Sequence, residues 1–579
     1  MVQKFLSRGR KLFYDGRLKT TTLFYSKQQD ILSAAGVIMV TVALARILGL
    51  IRIRTLFHFF PSEQVTLYLA AFKVPDFWFE VLILSSLSTA FIPVFSSYLG
   101  KKKEKEAWEL VSVIFTFLVV LFLIFSVIVI IFAEPIYKIV AAGLPPEDIK
   151  VVADFSRIIL IGQASFLLSY ILTGVLESNQ RFLAPALAPA FYNFGIILGT
   201  IFLAPIFGLK GAVYGAVIGA FLHLVVQLPL ALKLGFRPRF SFNYKNAGLK
   251  KIIELSWPRI TELSIFQAKG FTDLYLASFI SKSAYSLFRS ADIMQSSIVG
   301  LFGLAIAKAA LPTLSRQADD ADLEPFKRTF ISAFNGILFL TIPIAVFVSV
   351  LRIPIVRLAF GAEEFNWPDT VETGLTLSAF SIAIVAYALV LITNRAYYAL
   401  QETLLPMKVT IFATVINVIL SFLLVFTFKT STWGLAFSFS ICALFQEIIL
   451  LYFLNRKIGL NKSALLSSFS KIAIASSVSG GVMFFLLRIF DRSAWDKKLS
   501  FLGELGIALP TTFERFILDT RYTANLILLT AFVAFIGAVI YLFMVWALRV
   551  REFSLLTNLI ARFYNRVTVS NATDQEPLN

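Results

Sequence analysis

The sequence predicts an all-α polytopic membrane protein with fourteen transmembrane helices: two parallel-repeat six-helix bundles and two additional C-terminal helices. Three observations lead there. Of 579 residues, 58% are hydrophobic and only 15% charged, and the mean hydropathy is +0.80, whereas soluble domains carry about 25% charged residues. Apolar runs of about 20 residues, enough to cross the hydrocarbon core, recur along the chain. Landmarks of the first six runs return in the second six at a nearly constant offset. This composition excludes a soluble enzyme or a soluble binding module.

The chain opens on a basic segment, 1–30, holding Lys4, Arg8, Arg10, Lys11, Arg17, Lys19 and Lys27. Apolar runs follow near 31–53, 66–95, 110–133, 154–176, 183–206 and 211–232, giving an N-terminal bundle over 31–235. Runs near 256–280, 290–313, 329–351, 374–394, 407–428 and 433–455 give a C-terminal bundle over 236–457. Runs near 467–489 and 523–548 make the additional pair within 458–549, joined by a long outer loop, 490–522, whose role the sequence does not reveal. The second and seventh runs are the ones interrupted by charges.

Lys and Arg concentrate on the cytoplasmic side of membrane proteins. The basic N-terminal segment, Lys101-Lys102-Lys103-Glu104-Lys105 and the 233–251 loop all fall on one side of the predicted topology. That side is read as cytoplasmic, with both termini on it. The net charge of +18 is then loop charge, and no nucleic-acid partner is expected. Loop 315–328, with Asp319, Asp320, Asp322 and Glu324, is the weak exception. No cleavage pattern precedes the first run, so that run is expected to be retained. In the cytoplasmic tail, 550–579, Leu555, Leu556, Leu559, Ile560 and Phe563 suit a short interfacial helix.

The repeat rests on several pairs. Gln180-Arg-Phe-Leu-Ala-Pro185 returns as Gln401-Glu-Thr-Leu-Leu-Pro406, and Thr173 and Thr393 precede them. Asn193 and Asn417 follow, then Gly211 and Gly434. Ala90-Phe-Ile-Pro-Val-Phe-Ser96 resembles Ala309-Ala-Leu-Pro-Thr-Leu-Ser315, with Asp76 and Asp292 upstream. Six spans per copy is an even number, so both copies enter the membrane in the same sense, and a substrate path between the halves is expected.

Ionisable groups inside spans are costly and mark function. They concentrate in runs one, two, seven and eight: Arg46, Arg52 and Arg54; Lys73, Asp76 and Glu80; Arg259, Glu262, Lys269 and Asp273; Asp292 and Lys308. Lys73, Asp76 and Glu80 share a helix face, as do Lys269 with Asp273 and Arg259 with Glu262. Neutralised packing pairs are the plainer reading, at even odds for Glu262 and Asp292. Arg46, Arg52 and Lys308 have no opposite charge within one turn. An unopposed basic cluster in a low-dielectric cleft attracts phosphate, which Arg grips as a fork and Lys as a point charge. Arg46, Arg52, Lys73, Lys269 and Lys308 are therefore the candidate anion-binding residues. Asp76, Glu80, Arg259, Glu262 and Asp292 are the supporting polar set.

Other features read more plainly. Gly211, Gly215 and Gly219 suit close helix packing. Pro75, Pro93, Pro185, Pro189, Pro258 and Pro312 interrupt spans, and His223 reads as a buried packing residue. The single cysteine, Cys442, excludes an intrachain disulfide. No metal site, cofactor or hydrolytic constellation emerges from the spacing of His, Cys, Ser and Asp.

Three stretches, Ala45-Arg-Ile-Leu-Gly-Leu-Ile-Arg52, Ala70-Ala-Phe-Lys-Val-Pro-Asp76 and Leu87-Ser-Thr-Ala-Phe-Ile-Pro-Val-Phe95, resemble the opening of the MurJ (MviN) lipid II flippase family. Leu311-Pro-Thr-Leu-Ser-Arg316, Asn394-Arg-Ala-Tyr-Tyr-Ala-Leu-Gln401 and Pro406-Met-Lys-Val-Thr410 resemble its later motifs. The resemblance implies the multidrug/oligosaccharidyl-lipid/polysaccharide exporter fold. It also implies flipping of the undecaprenyl-diphosphate-linked peptidoglycan precursor by alternating access, with the two additional spans helping to form a groove for the lipid tail. Arg46, Arg52 and Lys73 match basic family positions. Asp273 and Asn417 match positions linked to a cation, so the driving force is expected to be a monovalent cation or the membrane potential, with no cofactor and a monomeric state. The chain departs from the family at Thr66, where an acid is usual, at Phe79, near a usual Arg, and at Ile293, where an Arg usually follows the acid. Two alternatives stay open on that account: export of another lipid-linked glycan, and a non-transporting membrane scaffold.

Overall fold

A computed structural model of the chain describes residues 31–84, 90–237, 239–318, 322–491 and 517–553; for 31–39, 82–84, 258, 259, 262 and 266 it describes the backbone alone. The helices in order are α1 (Ile31–Phe59), α2 (Ser62–Ala71), α3 (Lys73–Trp78), α4 (Ile92–Gly100), α5 (Glu104–Val140), α6 (Pro146–Ser178), α7 (Leu183–Phe207), α8 (Leu209–Val225), α9 (Leu228–Lys233), α10 (Ala247–Ile280) and α11 (Ala284–Val299). Then come α12 (Ala305–Ala318), α13 (Glu324–Val350), α14 (Arg352–Phe360), α15 (Trp367–Ala399), α16 (Leu404–Phe422), α17 (Thr432–Ile458), α18 (Lys462–Phe490) and α19 (Thr523–Ala547). Eleven helical segments among the described residues are long and apolar enough to cross a membrane. The predicted runs outside that set are 31–53, 66–95 and 256–280. The described residues of these runs are helical as well, but the second run is broken: α2 ends at a turn on Phe72, and α3 passes into a π-helix, Phe79–Leu84. Its prolines explain part of the break. Pro75 lies in the first turn of α3 and Pro93 in the first turn of α4, where the missing N–H has no intrahelical partner to lose.

The chain divides into two compact units, Met1–Ser286 with Ala362–Asn366, and Leu287–Gly361 with Trp367–Asn579. In the first, α10 packs on α3, α4, α5 and the π-helix. The bundle boundary expected at 235/236 is one of sequence equivalence, and the division by packing is a separate one. The first unit's core joins Phe91, Phe95, Leu110, Leu118, Ile171 and Leu172. The pair α7 and α8 is drawn close by glycine: a Cβ on Gly199 would run into the backbone of Gly215, and one on Gly195 into Gly219. This is the small-residue contact expected of GxxxG spacing, where dispersion rather than the hydrophobic effect holds helices together in lipid. On the second unit, α13, α15, α17, α18 and α19 share a core around Phe330, Ile337, Ile392 and Leu450. Tyr541 of α19 donates to the Phe339 carbonyl of α13 at 2.7 Å, and Ser479 of α18 to Gly537 of α19 at 2.6 Å.

Each unit, taken alone, carries the same internal devices. Gln180 and Gln401 both adopt left-handed backbone, φ +58° and +56°. In both places the next residue, Arg181 or Glu402, donates its N–H five residues back, at 2.9 Å. Both Gln-x-x-x-x-Pro segments therefore close one helix with the same 6→1 cap and release the next. Thr173 donates to Gln227 at 2.9 Å, and Thr393 to Glu447 at 2.7 Å, so the partner recurs at the repeat spacing as well. The π-helix of the first unit at Phe79–Leu84 has its counterpart in the second at Gly300–Leu304. π-segments are rare and concentrate at functional sites, and both lie just downstream of the paired acids Asp76 and Asp292.

Of the outer loop, residues 492–516 lie outside the described residues, as does the tail from 554, including the interfacial helix expected around Leu555–Phe563. The described ends of the loop meet in one bridge between Asp491 and Leu518, closed by Thr520 donating to Asp491 at 2.8 Å.

Candidate functional site

The break in the second run delivers three charges to one place. Lys73 opens α3, Asp76 follows one turn later, and Glu80 lies on the π-helix. Lys73 Nζ donates to Gln267 Oε1 on α10 at 3.1 Å and stands 5.4 Å above the Phe271 ring. Gln267 Nε2 donates to the Glu80 carboxylate. Gln267 is buried, so a neutral amide serves as donor to the acid and acceptor from the base. Gly270 leaves the room that Lys73 fills, since a Cβ there would strike the ammonium. On the other side, Gln163 Nε2 of α6 donates to Asp76 Oδ1 at 2.7 Å.

Arg52, half-buried on α1, adds a cation to this neighbourhood. Its Nε is buried and has no hydrogen-bond partner among the described residues, and the buried Tyr68 hydroxyl on α2 is likewise unsatisfied there. α1 packs on α2 and α7, and α2 on α3, so Arg52, Tyr68 and Asp76 lie on adjoining elements of the first unit. Buried polar atoms almost always find a partner, so an unsatisfied guanidinium nitrogen on α1 and an unsatisfied phenol on the adjoining α2 leave donors for an external acceptor. Arg46 is also half-buried. It lies six residues earlier, about 120° around the helix from Arg52, and α7 braces the chain beside it through Asn193 donating to the Ala45 carbonyl at 3.1 Å.

The remaining candidates are placed differently. Lys269 and Asp273 form an ion pair at 2.7 Å with side chains 15% and 11% exposed, so Lys269 enters as half of a neutralised pair. Lys308, in the second unit, is exposed. Asp292 is paired with Arg289 at 2.5 Å. Arg259 and Glu262 have side chains outside the described residues. Asn417 is buried in the second unit and donates to Ser438 at 2.6 Å, with Ser421 also on Ser438 at 2.6 Å. Asp273 belongs to the first unit. Among the described residues, no three His, Cys, Asp or Glu side chains group as metal ligands. His223 packs between Phe166 and Tyr170, with its Nδ1 2.6 Å from Ser169 Oγ.

The departures from the family pattern have local explanations. Thr66, buried, accepts from the Ser286 backbone N–H at 3.1 Å, satisfying a first-turn donor of α11 that no helical carbonyl reaches. Phe79 stacks against Phe166 and Tyr170, with ring centroids 5.7 and 5.1 Å away. An aromatic cluster therefore occupies the position near which the family pattern has an Arg. Residues that charge counting misses here are Gln163, Gln267, Tyr68 and Arg289. The available signal was the placement of two glutamines within membrane-spanning runs, where an amide is expected to face a polar partner.

Residues 58–505 match the model of a protein family described as lipid II flippase MurJ. A probable lipid II flippase MurJ of Buchnera aphidicola subsp. Acyrthosiphon pisum is 25% identical over 70% of this chain and 80% of its own length. One from Thermotoga maritima is 27% identical over 80% of this chain and 90% of its own. Among solved structures, a lipid II flippase MurJ in an inward closed conformation superposes with a TM-score of 0.70 at 22% identity, covering 88% of this chain and 97% of that one.

Proposed function

The chain belongs to the lipid II flippase MurJ family, and from that premise we propose that it moves the undecaprenyl-diphosphate-linked peptidoglycan precursor across the bacterial cytoplasmic membrane by alternating access. It is a multi-pass membrane transporter, not a catalytic enzyme. The polar head is taken up from the cytoplasmic side and released outside, while the polyprenyl tail stays in lipid. No bond is made or broken. The chain's task is to replace the water that the diphosphate and sugars would otherwise lose, a loss of several kcal/mol or more for an unpaired charge.

The observation that carries this reading is Arg52, a half-buried cation with a buried nitrogen that lacks a partner among the described residues, in the same unit as a Lys73 oriented by Gln267. In our reading Arg52 and Lys73 contact the diphosphate directly, Arg46 adds long-range attraction, and Lys308, on the second unit, is a further candidate cation. Lys269 acts only if its pair with Asp273 opens. Asp76 and Glu80 hold the basic groups in place. A monovalent cation near Asp273 or Asn417, or the membrane potential, biases the cycle, since one charge crossing is worth about 2.3 kcal/mol per 100 mV. The protein works as a monomer with both termini cytoplasmic.

Thr66, Phe79 and Ile293 favour one second reading, a different lipid-linked glycan. Expression in a strain depleted of its own lipid II flippase separates the two. Rescue of growth at normal membrane levels is the expected result, and absence of rescue at those levels points to another glycan or to a non-transporting scaffold.

A further inference from the structure

A cavity of about 1090 Å³ lies in the second unit, among the ends of α13 and α18 and the turn after α19. The turn is held in place by its own geometry. α19 ends at Ala547, and Arg549 adopts φ +52°, a left-handed backbone that side chains other than glycine seldom take. The Val550 N–H returns to the Val545 carbonyl at 3.1 Å, and Val550 is buried in the core. The reversal carries Glu552 into the cavity, where it is 6% exposed.

Below the cavity runs a short polar chain. Asn335 donates to Ser468 Oγ at 3.1 Å, and Ser468 donates to Glu552 Oε1 at 3.3 Å. The two outer acceptors, Asn335 Oδ1 and Glu552 Oε2, are buried and have no partner among the described residues. Leaving a buried carboxylate oxygen unsatisfied is costly, so these two acceptors call for a donor from outside the chain. The walls have the opposite character: five basic residues against two acidic ones line the cavity. Lys327 is held by Glu324 at 2.7 Å. Arg328, Lys471 and Arg549 line the same cavity.

The surroundings set the depth. Phe543 and Trp546, just before the turn, are 59% and 62% exposed, and Leu466 and Phe469 near the start of α18 are 68% and 46% exposed. Exposed apolar side chains on spanning helices face lipid, and Trp favours the head-group layer. The cavity therefore opens where lipid phosphates lie.

We propose that this cavity binds the head group of an anionic membrane lipid that carries a phosphodiester and a free hydroxyl. The phosphate lies against Arg328, Lys471 and Arg549, and the hydroxyl donates to Glu552 Oε2 or Asn335 Oδ1. The site is separate from the Arg52 locus and does not depend on the transported substrate.

The test uses the full chain in phosphatidylcholine nanodiscs containing phosphatidylglycerol, with retained lipid counted by native mass spectrometry. The wild type is expected to retain phosphatidylglycerol in preference to phosphatidylcholine. Arg328→Gln with Lys471→Gln is expected to weaken that retention roughly thirty-fold, from the loss of two cations at the head-group layer, with an unchanged melting temperature in pure phosphatidylcholine. Should the double variant fold poorly, Lys471→Gln alone is expected to weaken retention roughly five-fold. The wild type is expected to prefer phosphatidylglycerol over phosphatidic acid, which lacks the hydroxyl, and Glu552→Leu, which removes one of the two acceptors, is expected to reduce that preference. Equal retention by wild type and the folded charge variant overturns the proposal. Displacement of the lipid by millimolar glycerol phosphate or inorganic phosphate also overturns it, because the occupant is then a soluble anion.

Discussion

Arg52→Ala is expected to abolish rescue of a flippase-depleted strain while the protein stays at wild-type levels in the membrane. The Arg52 Nε has no protein partner to lose, so truncation orphans nothing and should leave the fold intact. What is lost is a charge-assisted hydrogen bond to the ligand, about 1.5–3 kcal/mol, or roughly 10- to 150-fold in diphosphate affinity. Arg52→Lys keeps the charge but not the fork and is expected to rescue partially, with slower growth. Full rescue by Arg52→Ala at matched levels removes Arg52 from the mechanism.

Gln267→Leu is expected to act differently, by damaging the fold and the site together. The amide is the bridge between Lys73 and Glu80. Leucine fills a similar volume but can neither donate nor accept. Two hydrogen bonds to charged groups are lost, at about 1.5–3 kcal/mol each. The expected readout is a clear fall in melting temperature in detergent together with loss of rescue. Gln267→Glu retains the acceptor for Lys73 but repels Glu80, so it should fall between leucine and wild type. A Gln267→Leu protein with wild-type melting and rescue contradicts the bridging role.

Much of the architecture is legible in the sequence because the bilayer imposes length and apolarity on each span. The 37-residue α5, with Ile124, Val127, Ile128 and Ile131 exposed along it, is readable from hydropathy alone. The repeat is also legible, since Gln180 and Gln401 mark turns whose backbone is the same. What hydropathy cannot give is the interruption at Phe72 and the π-helices at Phe79–Leu84 and Gly300–Leu304, because these depend on which carbonyl each N–H selects rather than on side-chain polarity. Within the site, counting charges finds Lys73, Asp76 and Glu80 but not the glutamines that organise them. A neutral amide leaves no trace in a charge tally, although it satisfies the requirement that each buried charge be hydrogen-bonded. The pairing of Asp292 escapes the spacing argument because Arg289 precedes the predicted run, and the helix that holds both begins at Ala284.

The central claim, that this chain carries a diphosphate-linked lipid head across a bilayer through the Arg52–Lys73 locus, is tested most directly in sealed proteoliposomes. Fluorescently headed lipid II is placed in the inner leaflet, and its arrival outside is followed with a membrane-impermeant quencher. The account predicts protein-dependent arrival that is lost in Arg52→Ala. Equal arrival with and without the protein, under an imposed potential and in the presence of sodium, contradicts it.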